Sequence, residues 1–395
     1  MEKSSAAAPK KASHPRPTVM AVYCPLWHRY DHMDSWKGYG WNEWELVKAA
    51  TPRFPGHYQP LKPTWGCFDE SDPKWAAKEI DLAADSGIDV FMFDWYWYSG
   101  VKIMEETLEG AFLKAPNRKR MKFALMWAPH HWADYFPAPP KPQPEWNQWL
   151  PIRFSARDFE RMIDYCADRY FGEPNYWKVA DGLLFYSIFD ADSFVAGMGG
   201  PEKTRRELRK ADRRMNARGL PSIHWNGMTN AGGRTAEFKA AGFHSATSYN
   251  VLNAGTSRKE DKGIQTYPEL MKEHHRNWTA FDQGPLPHFP VVTMGWDVTP
   301  RCLKEVPFPY IKHQEYPYTH VVVGNTPKRF GQLCRDAVEH LAQANKGLDV
   351  VMINAWNEWT EGCYLLPEKR YGDAYLRAIR DVFGLAKPKR KSRKT

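Results

Sequence analysis

Short apolar runs recur along the chain. Each is closed by polar or turn-forming residues, and most lead into a stretch where apolar positions return every three or four residues. The runs predict strands at about 18–25, 88–97, 122–129, 182–190, 222–228, 244–251, 290–297 and 348–356. The stretches between them read as helices. In "DPKWAAKEIDLAADSG" Asp72 caps a start at Pro73 and Gly87 closes the end. "SARDFERMIDYCADRYF", "GPEKTRRELRKADRRMNARG", "TPKRFGQLCRDAVEHLAQANKG" and "GDAYLRAIRDVFG" follow the same pattern. Apolar strands alternating with helices predict a parallel sheet covered on both faces. Eight such units closing on themselves give an α/β fold, a single (β/α)8 TIM-type barrel. An open doubly wound sheet has the same order of elements, but no G-x-G-x-x-G turn follows the first strand.

Two long loops interrupt the alternation, after strands 1 and 3. Residues 26–72 hold Trp36, Trp41, Trp44 and Trp65, and residues 129–154 are rich in proline and aromatic rings. Long loops of this composition suit the walls of a cleft. The aromatic share of 14%, with 18 tryptophans, fits either a large core or a cleft for sugar rings, whose C–H faces pack on aromatic rings. No apolar run approaches the roughly 18 residues of a membrane span.

The net charge of +9 sits in the two ends. "MEKSSAAAPKKASHPRP" and "KPKRKSRKT" together account for all of it, which leaves residues 18–386 neutral. The expected organisation is therefore a disordered basic segment at 1–17, a catalytic barrel at 18–386 and a disordered basic tail at 387–395. The barrel carries no net basic charge for nucleic acid. Cysteines at 24, 67, 166, 302, 334 and 363 show neither CxxC nor zinc spacing. They read as free thiols, with no metal and no cofactor expected. The N-terminus has no apolar signal-peptide core, which points to the cytoplasm unless the start was trimmed.

In such barrels the site forms at the C-terminal strand ends and the loops beyond them. The ends of the first three strands offer Tyr23, Trp27 and His28, then Asp94, Tyr96 and Trp97, then Trp127 and His130. Tyr249, Trp296 and Asp297 follow on the sixth and seventh. The eighth leads into "NAWNEWTEGCYL", with Asn357, Glu358 and Glu361. Any one of these could be a cap, a turn former or a core plug; the case lies in all of them meeting at one rim. If the chain turns helically after the strand, Glu358 and Glu361 share one face, about 5–6 Å apart at Cβ. Paired carboxylates suit glycoside cleavage, one as acid and the other as base or nucleophile.

The stretch "NAWNEWTEGCYLLPEKRYGDAYLRAI", with "YCPLWH", "GWNEWELVKAATPRFPGHYQP", "GIDVFMFDWYWY", "TMGWD" and "VVGNTP", resembles the WbsX-like proteins. These are similar to family 99 glycoside hydrolases, the endo-α-mannosidases and endo-α-mannanases. The resemblance covers about residues 18–386. It implies an endo-acting, retaining hydrolase acting on an oligosaccharide or polysaccharide, with no obligate protein partner evident. Glu361 would be the general acid/base, and Glu358 the base that helps the sugar's own 2-hydroxyl attack the anomeric carbon. The matched stretches add Trp41, Glu43, Trp44, His57, Asn325 and Tyr364 to the expected sugar-binding set. Thr360 stands where the mannosidases have histidine, so the sugar itself does not follow. WbsX-like proteins are also labelled glycosyltransferases, and "DAD" at 190–192 has the D-x-D form of a nucleotide-sugar site. A non-catalytic carbohydrate-binding barrel is the third reading.

Overall fold

The computed structural model describes residues 16–230, 232–252, 263–310, 315–344 and 348–384. The expected disordered ends lie outside these residues, apart from Arg16, which pairs with Asp89 at 3.0 Å, and Pro17. Eight parallel strands form the central sheet: β1 Thr18–Tyr23, β2 Val90–Trp95, β3 Lys122–Trp127, β4 Leu184–Ile188, β5 Ile223–Met228, β6 Ser245–Thr247, β7 Val291–Thr293 and β8 Val350–Asn354. Their spatial order, 7-8-1-2-3-4-5-6, brings the sheet round on itself. The β6–β7 seam is closed by a bridge between Ala246 and His288 and by the Ala246 N–H donating to Pro287 O at 3.0 Å. This is the TIM-type barrel, with helices around it.

The strands are buried almost throughout because both faces are covered, the inner by the barrel filling and the outer by helices. The helices start and stop where their caps are. Asp72 accepts from the Lys74 N–H ahead of helix Pro73–Ser86, and Gly87 ends it in the left-handed region. Ser155 and Thr326 cap helices Ala156–Cys166 and Pro327–Gln343 in the same way.

Apart from β5, which ends at Met228 as expected, the ladders stop two to four residues short of the apolar runs. β2 pairs only to Trp95 and β6 only to Thr247, because the polar and ring residues beyond them turn over the rim. Three loops, not two, build that rim. Beside those after β1 and β3, the described residues between β7 and helix Pro327–Gln343 bring Trp296, Arg301 and Tyr316 into the site. No helix among the described residues is long and apolar enough to cross a membrane.

Candidate active site

Past β8 the chain does not turn into a helix. Asn357–Glu358 pairs antiparallel with Cys363–Tyr364 around a tight 3-10 turn, Trp359–Glu361. Asn357 fastens this turn to the end of β1: its Oδ1 accepts from the Cys24 N–H at 2.8 Å and its Nδ2 donates to Cys24 O at 2.9 Å. Gly362 reverses the chain at φ +67, and a Cβ there would lie 2.9 Å from the Asp297 backbone nitrogen. Only glycine meets both demands. The Asp297 N–H in turn donates to Glu361 O at 2.6 Å.

What joins the two glutamates is Arg301. Its Nη2 donates to Glu358 at 2.7 Å and to Glu43 at 3.0 Å, and its Nη1 donates to Glu361 at 3.0 Å. All four residues are buried, at 1–6% exposure. Arg301 is aimed by the turn Thr299–Arg301, whose Thr299 N–H and Oγ1 donate to Asp297 at 3.1 and 2.6 Å. The second Asp297 oxygen accepts from His57 Nε2 at 2.7 Å and Gln59 Nε2 at 2.6 Å. His57 Nδ1 accepts from the Arg53 N–H at 3.0 Å, so its Nε2 carries the proton it donates. Burial pushes the Asp297 carboxyl up, but the bonds from His57, Thr299 and Gln59 outweigh it and hold the group below its usual range.

Three carboxyls around one guanidinium cannot all ionise in a dry site. Burial raises Glu358 well above the ordinary carboxylate range; Arg301 opposes the shift, and the charges of Glu361 and Glu43 reinforce it. Glu361 and Glu43 are also raised, first by burial. Thr360 Oγ1 lies between Glu43 and Glu358, 3.0 Å from Glu358 Oε1 and closer to Glu43 Oε2. A hydroxyl has one proton to give, so the two contacts are met together when one of the two carboxyls is protonated and donates to Thr360, which donates to the other, ionised one. Glu361 is further held by Tyr316 OH at 2.8 Å and Tyr249 OH at 3.3 Å.

The cluster forms one wall of a cavity of about 730 Å³, within the range of small-molecule sites. Asp94, Tyr96, His130, Tyr249, Trp296, Glu358 and Glu361 of the expected residues line it, with Trp132, Tyr135 and Phe136 from the loop after β3. Asp94 accepts from Tyr96 OH at 2.6 Å, and burial raises its carboxyl to about 7. Among the described residues Asp94 Oδ1 and Trp132 Nε1 are buried without partners, and both residues line the cavity.

The remaining expected residues lie elsewhere. Tyr23 donates to Glu79 at 2.8 Å and Asn357 to Glu70 at 3.1 Å, in a buried network behind β8. His28 lies against Glu106 and Glu70. Burial alone would lower its pKa, but these partners raise it to about 9. Trp27 packs on Trp44, whose Nε1 donates to Phe68 O, while Trp97 stands against Trp95 and Tyr165, and Trp127 against Phe159 and Phe194. These are core positions, not cleft walls, because the packing helices take up their ring faces. Trp41 is half-buried near Phe136. Glu43 sits beneath the cavity wall. His57, Asp297, Asn325 and Tyr364, with Trp296, line a smaller adjacent cavity of about 110 Å³. Arg301, Tyr316, Thr360 and Trp132 were not among the expected residues. Arg301 follows the predicted seventh strand by four positions, in a loop without periodicity.

The family model described as glycosyltransferase WbsX matches residues 19–379. The chain belongs to this family. It is 27% identical over 393 residues to the uncharacterized protein WxcX of Xanthomonas campestris pv. campestris, covering 92% of this chain and 49% of that protein. The chain thus spans about half the length of the curated relatives it matches. The solved GH99 endo-alpha-mannosidase from Bacteroides thetaiotaomicron, in complex with bis-tris-propane, superposes with a TM-score of 0.61 at 15% identity, covering 93% of this chain and 97% of that one. A glycoside hydrolase-like protein superposes at 0.63 with 13% identity, covering 97% and 98%. At these identities the likeness is one of fold.

Proposed function

We propose that this WbsX-family chain is an endo-acting glycoside hydrolase that cleaves an internal bond of a complex glycan with retention. The observation that carries the reading is the sharing of Arg301 between Glu358 and Glu361 on the wall of a ring-lined cavity. The reading takes Glu358 as the ionised member because its 2.7 Å bond is the shortest that Arg301 makes to the three carboxyls, and this bond acts against the burial that raises Glu358. In this reading Glu361, raised by burial against the bonds from Arg301, Tyr316 and Tyr249, carries the proton to give. In the first step Glu358 takes the proton of the sugar's 2-hydroxyl as that oxygen bonds to the anomeric carbon, and Glu361 protonates the departing oxygen. In the second, Glu361 takes a proton from the water that opens the strained ring, and Glu358 returns its own. Asp94 and Trp132 would hold sugar hydroxyls beside the reacting bond.

The test is incubation with a polysaccharide panel and no sugar nucleotide, with proton NMR of the nascent products. Oligosaccharides formed with the substrate's anomeric configuration support the reading, and inversion would refute it. The second reading, a glycosyltransferase, rests on the family description and on Asp190 and Asp192 lining the cavity. Asp190 caps the following helix through the Ser193 N–H at 3.0 Å, and Asp192 pairs with Arg234 at 2.7 Å, so both acids already have structural partners. Turnover that requires a nucleotide sugar and a divalent ion would favour the transferase.

A further inference from the structure

On the opposite face of the barrel from the cleft, where the strands begin, a second group of titratable side chains converges. Asp282 ends helix Tyr267–Asp282, His340 lies in the last turn of helix Pro327–Gln343, and His288 is on the segment entering β7. One potential ligand atom from each lies within 4.8 Å of the others. His288 is 4% exposed, and among the described residues neither of its ring nitrogens has a hydrogen-bond partner. A buried imidazole with both nitrogens unmet calls for an explanation. Its ring is fixed by stacking on Phe281 at 4.5 Å and stands edge-on to His340 at 6.3 Å. Asp282 Oδ2 and His340 Nε2 are 3.1 Å apart, close to the roughly 3.3 Å edge of a tetrahedron built on metal bonds of about 2.0–2.1 Å.

We propose that Asp282, His288 and His340 form a site for a divalent transition-metal ion of the Zn2+ class, with a fourth position open to water. Two imidazoles and one carboxylate match a borderline ion, whereas Ca2+ and Mg2+ take oxygen ligands. Burial lowers the pKa of His288 to about 3 and lowers that of His340, which keeps both rings neutral and able to ligate. The Asp282 side chain is 38% exposed and that of His340 18%, which leaves a path for the ion. The role of the site is structural. The His288 backbone makes the bridge that closes the β6–β7 seam, so the ion ties the entrance of β7 to the helices on either side of it. Positions 282, 288 and 340 follow no metal-binding spacing, which is why the sequence alone points to no metal.

The test uses the full chain stripped with a chelator and titrated with Zn2+ by calorimetry, beside Asp282→Ala and His340→Gln. Asp282 is exposed and His340 partly buried, and circular dichroism will check that both variants fold. The expected result is one Zn2+ per chain, a thermal midpoint that climbs with Zn2+ concentration but not with Mg2+ or Ca2+, and binding weakened roughly tenfold or more in each variant. Co2+ in place of Zn2+ should give ligand-field bands without a thiolate charge-transfer band, which separates this site from the exposed Cys67. Failure of the wild type to take up Zn2+, equal affinity in the variants, or a thiolate band would each overturn the proposal.

Discussion

Replacing Arg301 with methionine keeps a long side chain but removes the one cation among the described residues that pairs with Glu43, Glu358 and Glu361. With those carboxyls at 1–6% exposure, the site can hold one ionised carboxylate beside a guanidinium and none without it. The folded variant therefore binds one proton more than the folded wild type. Burial raises the folded-state pKa of each carboxyl above an unfolded value of about 4.3. The stability these groups contribute is thus fully present below that value and is lost as pH rises toward the folded pKa. One extra bound proton steepens that loss by about 1.4 kcal/mol per pH unit. Between pH 5 and pH 8 the penalty of Arg301→Met should grow by roughly 4 kcal/mol, on top of a pH-independent part from the lost hydrogen bonds. Urea unfolding of both proteins at pH 5, 6.5 and 8 measures it. A penalty equal at the two extremes would refute the idea that the three carboxyls share the charge of Arg301.

Three further outcomes follow from the same geometry. Glu361→Gln should lower cleavage of natural linkages by roughly 10²–10⁴ yet largely spare substrates with an activated leaving group, which need no proton; equal losses on both would remove Glu361 from the acid role. Glutamine has the shape and neutrality of a protonated glutamate, so Glu43→Gln should lose far less kcat than Glu358→Gln, and matching losses would show that Glu43 works as an anion. Trp44→Ala and Trp127→Ala should each cost about 3–5 kcal/mol of stability as buried rings do, whereas Trp132→Ala should mainly weaken oligosaccharide binding, as calorimetry and thermal melts will separate.

The barrel was legible because a parallel strand covered on both faces leaves a continuous apolar run, and because caps such as Asp72 and Ser155 are local. The site was legible by residue type but not by direction. Side chains alternate along a strand, and ladder register carries one parity from strand to strand: Asp94 pairs with Met126, and both line the cavity. Tyr96 and Ala128, two residues further on, line it too. Trp95 pairs with Trp127 and Tyr23 with Phe93, and this other parity faces the outer helices, where Trp97 also packs. Counting by twos from Asp94 separates Trp97 from the cleft within its own strand, and the ladder register extends the count to Tyr23 and Trp127. No such count reaches Arg301, Tyr316 or Glu43. They arrive on loops whose paths are set by partners hundreds of residues away, as when Asp297 holds His57 across 240 positions. The glutamate pair announces itself in one short stretch, but the groups that share its charge, Glu43 and Arg301, come from two others.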